Sequence, residues 1–321
     1  MNCGASRVYT IRKCSIRCGD GLINKLVGVE ALKRVSQKLQ INIHFRAPPQ
    51  TIFDRYPETS IKNVTRSNRA GTNVSRRHLL TLHTSLPAQK VVLNVTYNKT
   101  QLIKLITQYL LDHLVDNDNE LVITSEHPIP VEIRNGEITL RNELHNTHEE
   151  ADVMIVNQLF HLVGKGAHNI CVVCDDTDVF VLLLYFYCNE NLSCSVIMES
   201  PIAGRRVIDI KATANKHKSI AKSLPGVHAI SGCDSTSYIY GIGKLTVLKV
   251  LDKGKSLELL GTEDVGMNDI VSEASSFISK CYGPKYSEDM SELRYSVWST
   301  KMANQKLSSA PKLKSLPPTS D

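Results

Sequence analysis

The chain has 321 residues, 42% of them hydrophobic and 22% charged, and a formal net charge of +6. This composition is that of a globular chain with room for one large α/β domain or two smaller ones. Its nine cysteines are odd in number and lack framework spacing, and its longest apolar run, 179–187, is about half of what a bilayer needs; a disulfide-stapled secreted scaffold and a membrane span are excluded.

Residues 1–45 mix Cys, Arg and Lys, carry a helical pattern over 22–39 and offer no clear buried strand, so they read as a divergent or incomplete N-terminal segment. A short apolar stretch at 50–53 ends on Asp54, and 60–77 is rich in Lys, Arg, Ser, Thr and Asn, as in a basic helix or loop. Leu102, Ile103, Leu105, Ile106, Tyr109, Leu110 and Leu114 recur at helical spacing, which predicts an amphipathic helix over 100–115. A short strand follows at 121–124, then a hairpin over 131–140 turning at Asn135-Gly136, a pair that takes positive φ readily.

The middle alternates a helix over 149–164, a buried strand at 170–174, an apolar helix or strand at 178–187 and a strand at 195–198. Such alternation implies a mainly parallel sheet flanked by helices, in which sites form beyond the carboxyl ends of the strands. Cys171 and Cys174 lie within one of these strands, where alternate side chains face opposite ways, so they are not read as zinc ligands. A strand at 206–210 and a basic helix at 212–223 close the core, taken as 46–223. Short helices with Gly-containing turns fill 224–305, and the Ser-, Pro- and Lys-rich 306–321 reads as a disordered tail.

Three acidic groups stand out: Glu149-Glu150-Ala151-Asp152 opening a helix, Asp175-Asp176-Thr177-Asp178 after a buried strand, and Asp234 in Gly232-Cys233-Asp234-Ser235. Asp54 is a fourth. Local roles are available: Thr147 and Glu150 have capping-box spacing, Asp175 or Asp176 can cap the following helix, and Asp234 suits a turn. Acids that follow strands of one parallel sheet nevertheless converge at a single edge, where repulsion raises their pKa values unless cations are present. Divalent metal is the simplest answer, two Mg²⁺ or Mn²⁺ ions roughly 4 Å apart being able to activate a water and stabilise a leaving phosphodiester oxygen.

In order and spacing, His148-Glu149-Glu150-Ala151-Asp152, Asp176-Thr177-Asp178, Ser231-Gly232-Cys233-Asp234-Ser235 and Gly241-Ile242-Gly243-Lys244 resemble the core of flap endonuclease-like PIN domains, over about 50–255. The resemblance is nearest to a group of animal PIN-like proteins often associated with mobile elements. It implies a PIN-like α/β fold with a helix-hairpin-helix-like turn in the C-terminal helical region. It also implies that Asp54, Glu150, Asp152, Asp176, Asp178 and Asp234 hold the metals. Ile52-Phe53-Asp54-Arg55-Tyr56-Pro57 is similar to the family's strand-ending Phe-Asp motif, and Lys62, Arg66 and Arg69 occupy the place of its basic, phosphate-steadying helix. Gly241, Gly243 and Lys244 would follow the nucleic-acid backbone, the glycines admitting it closely and the next helix start binding phosphate. His148 and His228 read as hydrogen-bonded structural residues outside the site.

The expected function is therefore a metal-dependent, structure-specific nuclease that hydrolyses DNA or RNA with a metal-activated water, intracellular and either nuclear or cytoplasmic. Active members of the family open with a buried strand ending in Asp-Gly, whose aspartate is a central ligand; Asp20-Gly21 is the only counterpart here, and 14–19 is polar and basic. The rival expectation is a PIN-like nucleic-acid- or protein-binding module without catalysis. A small-molecule phosphatase or nucleotide-binding α/β protein ranks third, since neither a P-loop nor a Gly-x-Gly-x-x-Gly turn after a strand is present.

Overall fold

The computed structural model describes residues 8–14, 50–57, 59–60, 62, 76–81, 89–114, 121–202, 204–233, 236–254, 256–283, 287, 289–303 and 311–319. The expected helix at 22–39, Asp20-Gly21, Arg66, Arg69 and Asp234 lie outside them, as does most of the basic stretch 60–77. The described residues form an α/β structure around a mixed, mostly parallel eight-stranded sheet of order β5-β4-β3-β2-β1-β6-β7-β8, flanked by helices.

The sheet is built on β1 (Val8–Cys14), which pairs in parallel with β2 (Gln50–Phe53) on one side and β6 (Asn169–Val173) on the other. This corrects the reading of 1–45 as lacking a buried strand. Val8, Thr10 and Ile11 give the segment its β-branched character, and its charged residues, Arg12 and Lys13, fall at the carboxyl end where the strand leaves the core. Strand β3 (Leu121–Thr124) extends the parallel set beside β2, and β7 (Ser195–Glu199) beside β6. The hairpin of β4 (Val131–Arg134) and β5 (Glu137–Leu140) adds antiparallel to β3, turning through Asn135 at φ 50° and Gly136 at φ 79°. Those paired positive φ values are what the Asn-Gly sequence supplies. The expected strand over 206–210 shrinks to the two-residue β8 (Ile208–Asp209), antiparallel to β7.

Helices α1 (Gln89–Leu93) and α2 (Thr96–Leu114) precede β3. The α2 stripe buries Leu102, Ile103, Ile106, Tyr109 and Leu110 in one core cluster with Phe53, Leu121, Ile123 and Ile133. Each such side chain contributes about 1.5–3 kcal/mol by leaving water, which anchors the helix irrespective of its propensity. Helix α3 (Ala151–Gly164) packs against β1 and β2, and the buried Gln158 amide donates to Thr124 Oγ1 at 2.6 Å. The apolar run at 178–187 is resolved as helix α4 (Thr177–Asn189). The basic helix expected over 212–223 is split into α5 (Ile210–Lys216) and a 3₁₀ turn at Ala221–Ser223.

The chain divides into two compact units: Met1–Leu183 with Leu192–Thr213, and Leu184–Asn191 with Ala214–Asp321. Beyond the 3₁₀ turn, the second unit contains α6 (Leu224–Ile230), α7 (Lys244–Asp252), α8 (Met267–Cys281) and α9 (Met290–Ala303). Its last described stretch is 311–319, within the segment 306–321 whose composition reads as a disordered tail. It turns at Leu313–Ser315, buries Leu316, and offers the carbonyls of Ser315, Leu316 and Pro317 to Lys301, the Tyr282 hydroxyl and Arg294.

Candidate functional site

Within the sheet, the chain runs outward from β1 through β2 to β3 on one side and returns to β6 and β7 on the other. Connections therefore diverge beyond the carboxyl ends of β1 and β6 and leave a crevice there, the usual place for a site in such sheets. Asp54 follows β2, Asp176 follows β6, and Asp152 stands in the first turn of α3.

What these acids surround is Lys13. Its ammonium donates to an Asp152 carboxylate oxygen in a short contact and to Asp176 Oδ2 at 2.9 Å, with only 4% of the side chain exposed. Burial works against the Lys13 charge, but Asp152, Asp54 and Asp176 together outweigh it and hold its pKa above the ordinary lysine value. Burial likewise pushes the Asp152 carboxyl up to about 6; Lys13 pulls it down, and Asp176 and Asp54 push it further up. The partners thus shift in directions that differ in meaning, one favouring the charged pair and the other opposing it. A charged Lys13 is the firmer conclusion, because three carboxylates favour its charge whereas Asp152 has one cation against two like charges.

The neighbouring acids are engaged as well. Asp54 Oδ1 accepts the Ala151 amide at 3.1 Å and so closes the start of α3 from a different strand. Glu150 is the residue directly before that helix rather than three residues into it, so the Thr147/Glu150 capping box does not form. Glu150 pairs instead with Lys62 at 2.8 Å, and Glu149 takes the Ser60 hydroxyl. Asp176 Oδ1 accepts the Asp178 amide at 3.2 Å, and Asp175 pairs with Arg205 at 2.6 Å on the surface. The structure thus brings Asp54, Asp152 and Asp176 to one lysine and sets Glu150 with Lys62.

Gly241, Gly243 and Lys244 belong to the second unit. Gly241 has φ 82°, Gly243 precedes α7 with extended backbone, and a Cβ at either would meet nothing within 4 Å. Lys244 Nζ lies 2.8 Å from His228 Nδ1.

Two residues that sequence reasoning passed over hold this edge together. Lys13 is one. Arg55 is the other: only 8% exposed, it donates from Nε to Ser125 O, from Nη1 to Asn146 O, Asn146 Oδ1 and His148 O, and from Nη2 to His127 O, all at 2.8–2.9 Å. Its own amide donates to Glu149 O at 2.8 Å. Burial lowers its pKa from the ordinary arginine value, and these acceptors supply the compensating field. The signal was its place directly after Asp54, in a segment otherwise read for its carboxylate.

As the side chains stand, they do not fit a two-metal centre: the position between Asp152 and Asp176 is held by the Lys13 ammonium, and a divalent cation there has to displace it. Among the described residues no three His, Cys, Asp or Glu side chains are grouped to hold a metal ion, and no described helix is long and apolar enough to cross a membrane. No protein-family model, curated protein or solved structure matches the chain.

The raised Asp152 pKa has a sign that urea unfolding can read. Asp152 holds its proton more tightly when folded, near 6, than at its ordinary 3.8, so its contribution to stability falls as the pH rises from about 4 to about 6. Lys13 acts at the other end, its contribution being full below 10.5 and lost as the pH climbs past its raised folded value. Between pH 4 and 7 the wild type should lose roughly 2–3 kcal/mol relative to Asp152→Asn, which cannot titrate there. A difference that stays flat over that range means that Asp152 is ionised throughout.

Proposed function

We propose that this chain is a PIN-like module that binds nucleic acid, with a carboxylate pocket whose centre is filled by its own lysine so that binding proceeds without metal-driven hydrolysis. The observation that carries the reading is Lys13 between Asp152 and Asp176, in the crevice where the resemblance calls for a further carboxylate and two metal ions. The Lys13 ammonium offsets one of the three negative charges and occupies the place between Asp152 and Asp176, so Mg²⁺ or Mn²⁺ has to displace it to bind there. Binding then falls to the phosphate-facing elements. The Gly241–Lys244 turn, with open space at both glycines, supports a helix-hairpin-helix-like contact in which backbone amides at the start of α7 meet a phosphate. The net charge of +6 suits a polyanionic partner, and an intracellular setting, nuclear or cytoplasmic, goes with it.

A second reading keeps the nuclease, and the convergence of Asp54, Asp152 and Asp176 at one sheet edge favours it. Under it, the ions displace Lys13.

One experiment separates the two. The purified chain is offered flap, hairpin and single-stranded DNA and RNA, with EDTA or with Mg²⁺ or Mn²⁺, and both retention and cleavage are followed. The first reading expects retention that survives EDTA, weakens steeply with salt, and yields no metal-dependent product. Cleavage that needs the metal and disappears in Asp176→Ala installs the second reading, and absence of retention under every condition removes both.

A further inference from the structure

Beside the carboxylate crevice, at the carboxyl ends of β6 and β7, lies a cavity of about 510 Å³ whose chemistry differs from that of its neighbour. Its apolar lining includes Phe180 of α4, the buried Met198 of β7 and Ile208 of β8. Its polar lining includes Arg205 and Arg206. Asp175 and Asp176, which also line it, are already committed to Arg205 and Lys13. Arg206 has no hydrogen-bond or ion-pair partner among the described residues.

These features narrow the ligand. The acids are taken, so a cation finds no open carboxylate pair. A wholly apolar ligand would make no use of the exposed Arg206 guanidinium. A flat ring joined to an anionic group satisfies both sides, the ring lying along Phe180, Met198 and Ile208 and the anion meeting Arg206. Arg205 stays with Asp175, so the anion falls to Arg206. The volume lies within the range of small-ligand pockets, and the position is where open α/β sheets bind ligands.

We propose that this cavity binds a single nucleotide, with the base against Phe180 and the phosphate on Arg206. The inference deepens the nucleic-acid reading and rests on it for the source of the nucleotide, which is one unstacked residue of a single strand; a free mononucleotide offers the same chemistry.

The test uses the full chain and three probes: a fluorescein-labelled single-stranded oligodeoxynucleotide, free UMP, and inorganic phosphate. Arg206→Ala removes the cation, and Phe180→Leu removes the ring while keeping an apolar side chain. Thermal melts confirm that both variants are folded. Each variant is expected to weaken oligonucleotide binding about tenfold, with inorganic phosphate competing far more weakly than UMP. If the oligonucleotide binds both variants as it binds the wild type, the pocket is overturned while nucleic-acid binding stands. If only UMP binds, and Arg206→Ala abolishes it, the pocket stands for free nucleotides and the nucleic-acid reading falls. If none of the probes binds, both fall.

Discussion

Arg55→Ala should destabilise the first unit by about 3–5 kcal/mol, a large part of what holds an ordinary domain together. The side chain is buried and reaches the carbonyls of Ser125, His127, Asn146 and His148, which come from two separate stretches of loop. Hydrogen bonds to a charged donor contribute about 1.5–3 kcal/mol each, and bonds that share one guanidinium do not add in full, so the total stays below their sum. Arg55→Lys keeps the charge but replaces a planar fork with a point donor, so it should recover less than half of the loss. Urea unfolding of the three proteins gives both numbers. The same loops carry Glu149 and Glu150 to the site, and Asp54 beside Arg55 holds the Ala151 amide. Unfolding midpoints equal to the wild type would mean that water replaces the guanidinium at every carbonyl.

Much of the sheet was legible because buried parallel strands have few ways to hide. Leu121–Thr124 and Asn169–Val173 are short apolar runs bounded by polar residues, and the Asn135-Gly136 turn needs a conformation that few other pairs adopt. Strand β1 was not legible, since Arg12 and Lys13 break the apolar pattern by which a central strand is recognised. Their placement makes sense only in three dimensions: the partners of Lys13 lie 139 and 163 residues further along the chain. Local pattern registers a charge but not the counter-charge that makes its burial tolerable.

The acids of the candidate site were legible for the converse reason. A carboxylate following a parallel strand must arrive at the carboxyl edge whatever the details of packing, so Asp54 and Asp176 could be placed together from topology alone. The same reasoning called for a cation among them and took it to be a divalent metal, where the structure has the Lys13 ammonium. Nothing in the spacing of the acids distinguishes an ammonium from a metal ion, and that difference separates a binding module from a hydrolase. The capping box failed on similar grounds: its spacing would start the helix after Thr147, whereas α3 starts at Ala151, whose amide Asp54 accepts from another strand.

Lys13→Ala should decide what kind of pocket this is. Removing the ammonium leaves Asp152 and Asp176 facing each other in a buried crevice, and breaking a buried pair in this way costs about 3–5 kcal/mol at neutral pH. Part of that loss should be relieved as the pH falls and Asp152 takes up a proton. If the crevice now accepts a divalent ion in place of the lost cation, Mn²⁺ at about a hundred times its dissociation constant would restore roughly 2.7 kcal/mol by mass action. The expected pattern in thermal melts is a wild type indifferent to Mn²⁺ and a Lys13→Ala variant that Mn²⁺ raises by several degrees, with the rise abolished in Lys13→Ala/Asp176→Ala. A wild type already raised by Mn²⁺, through Asp176, would mean that the ion displaces the lysine unaided, and the nuclease reading would then take precedence. The outcome turns on one comparison: whether three carboxylates hold an ammonium already attached to the sheet more firmly than a dication that must shed its water to enter.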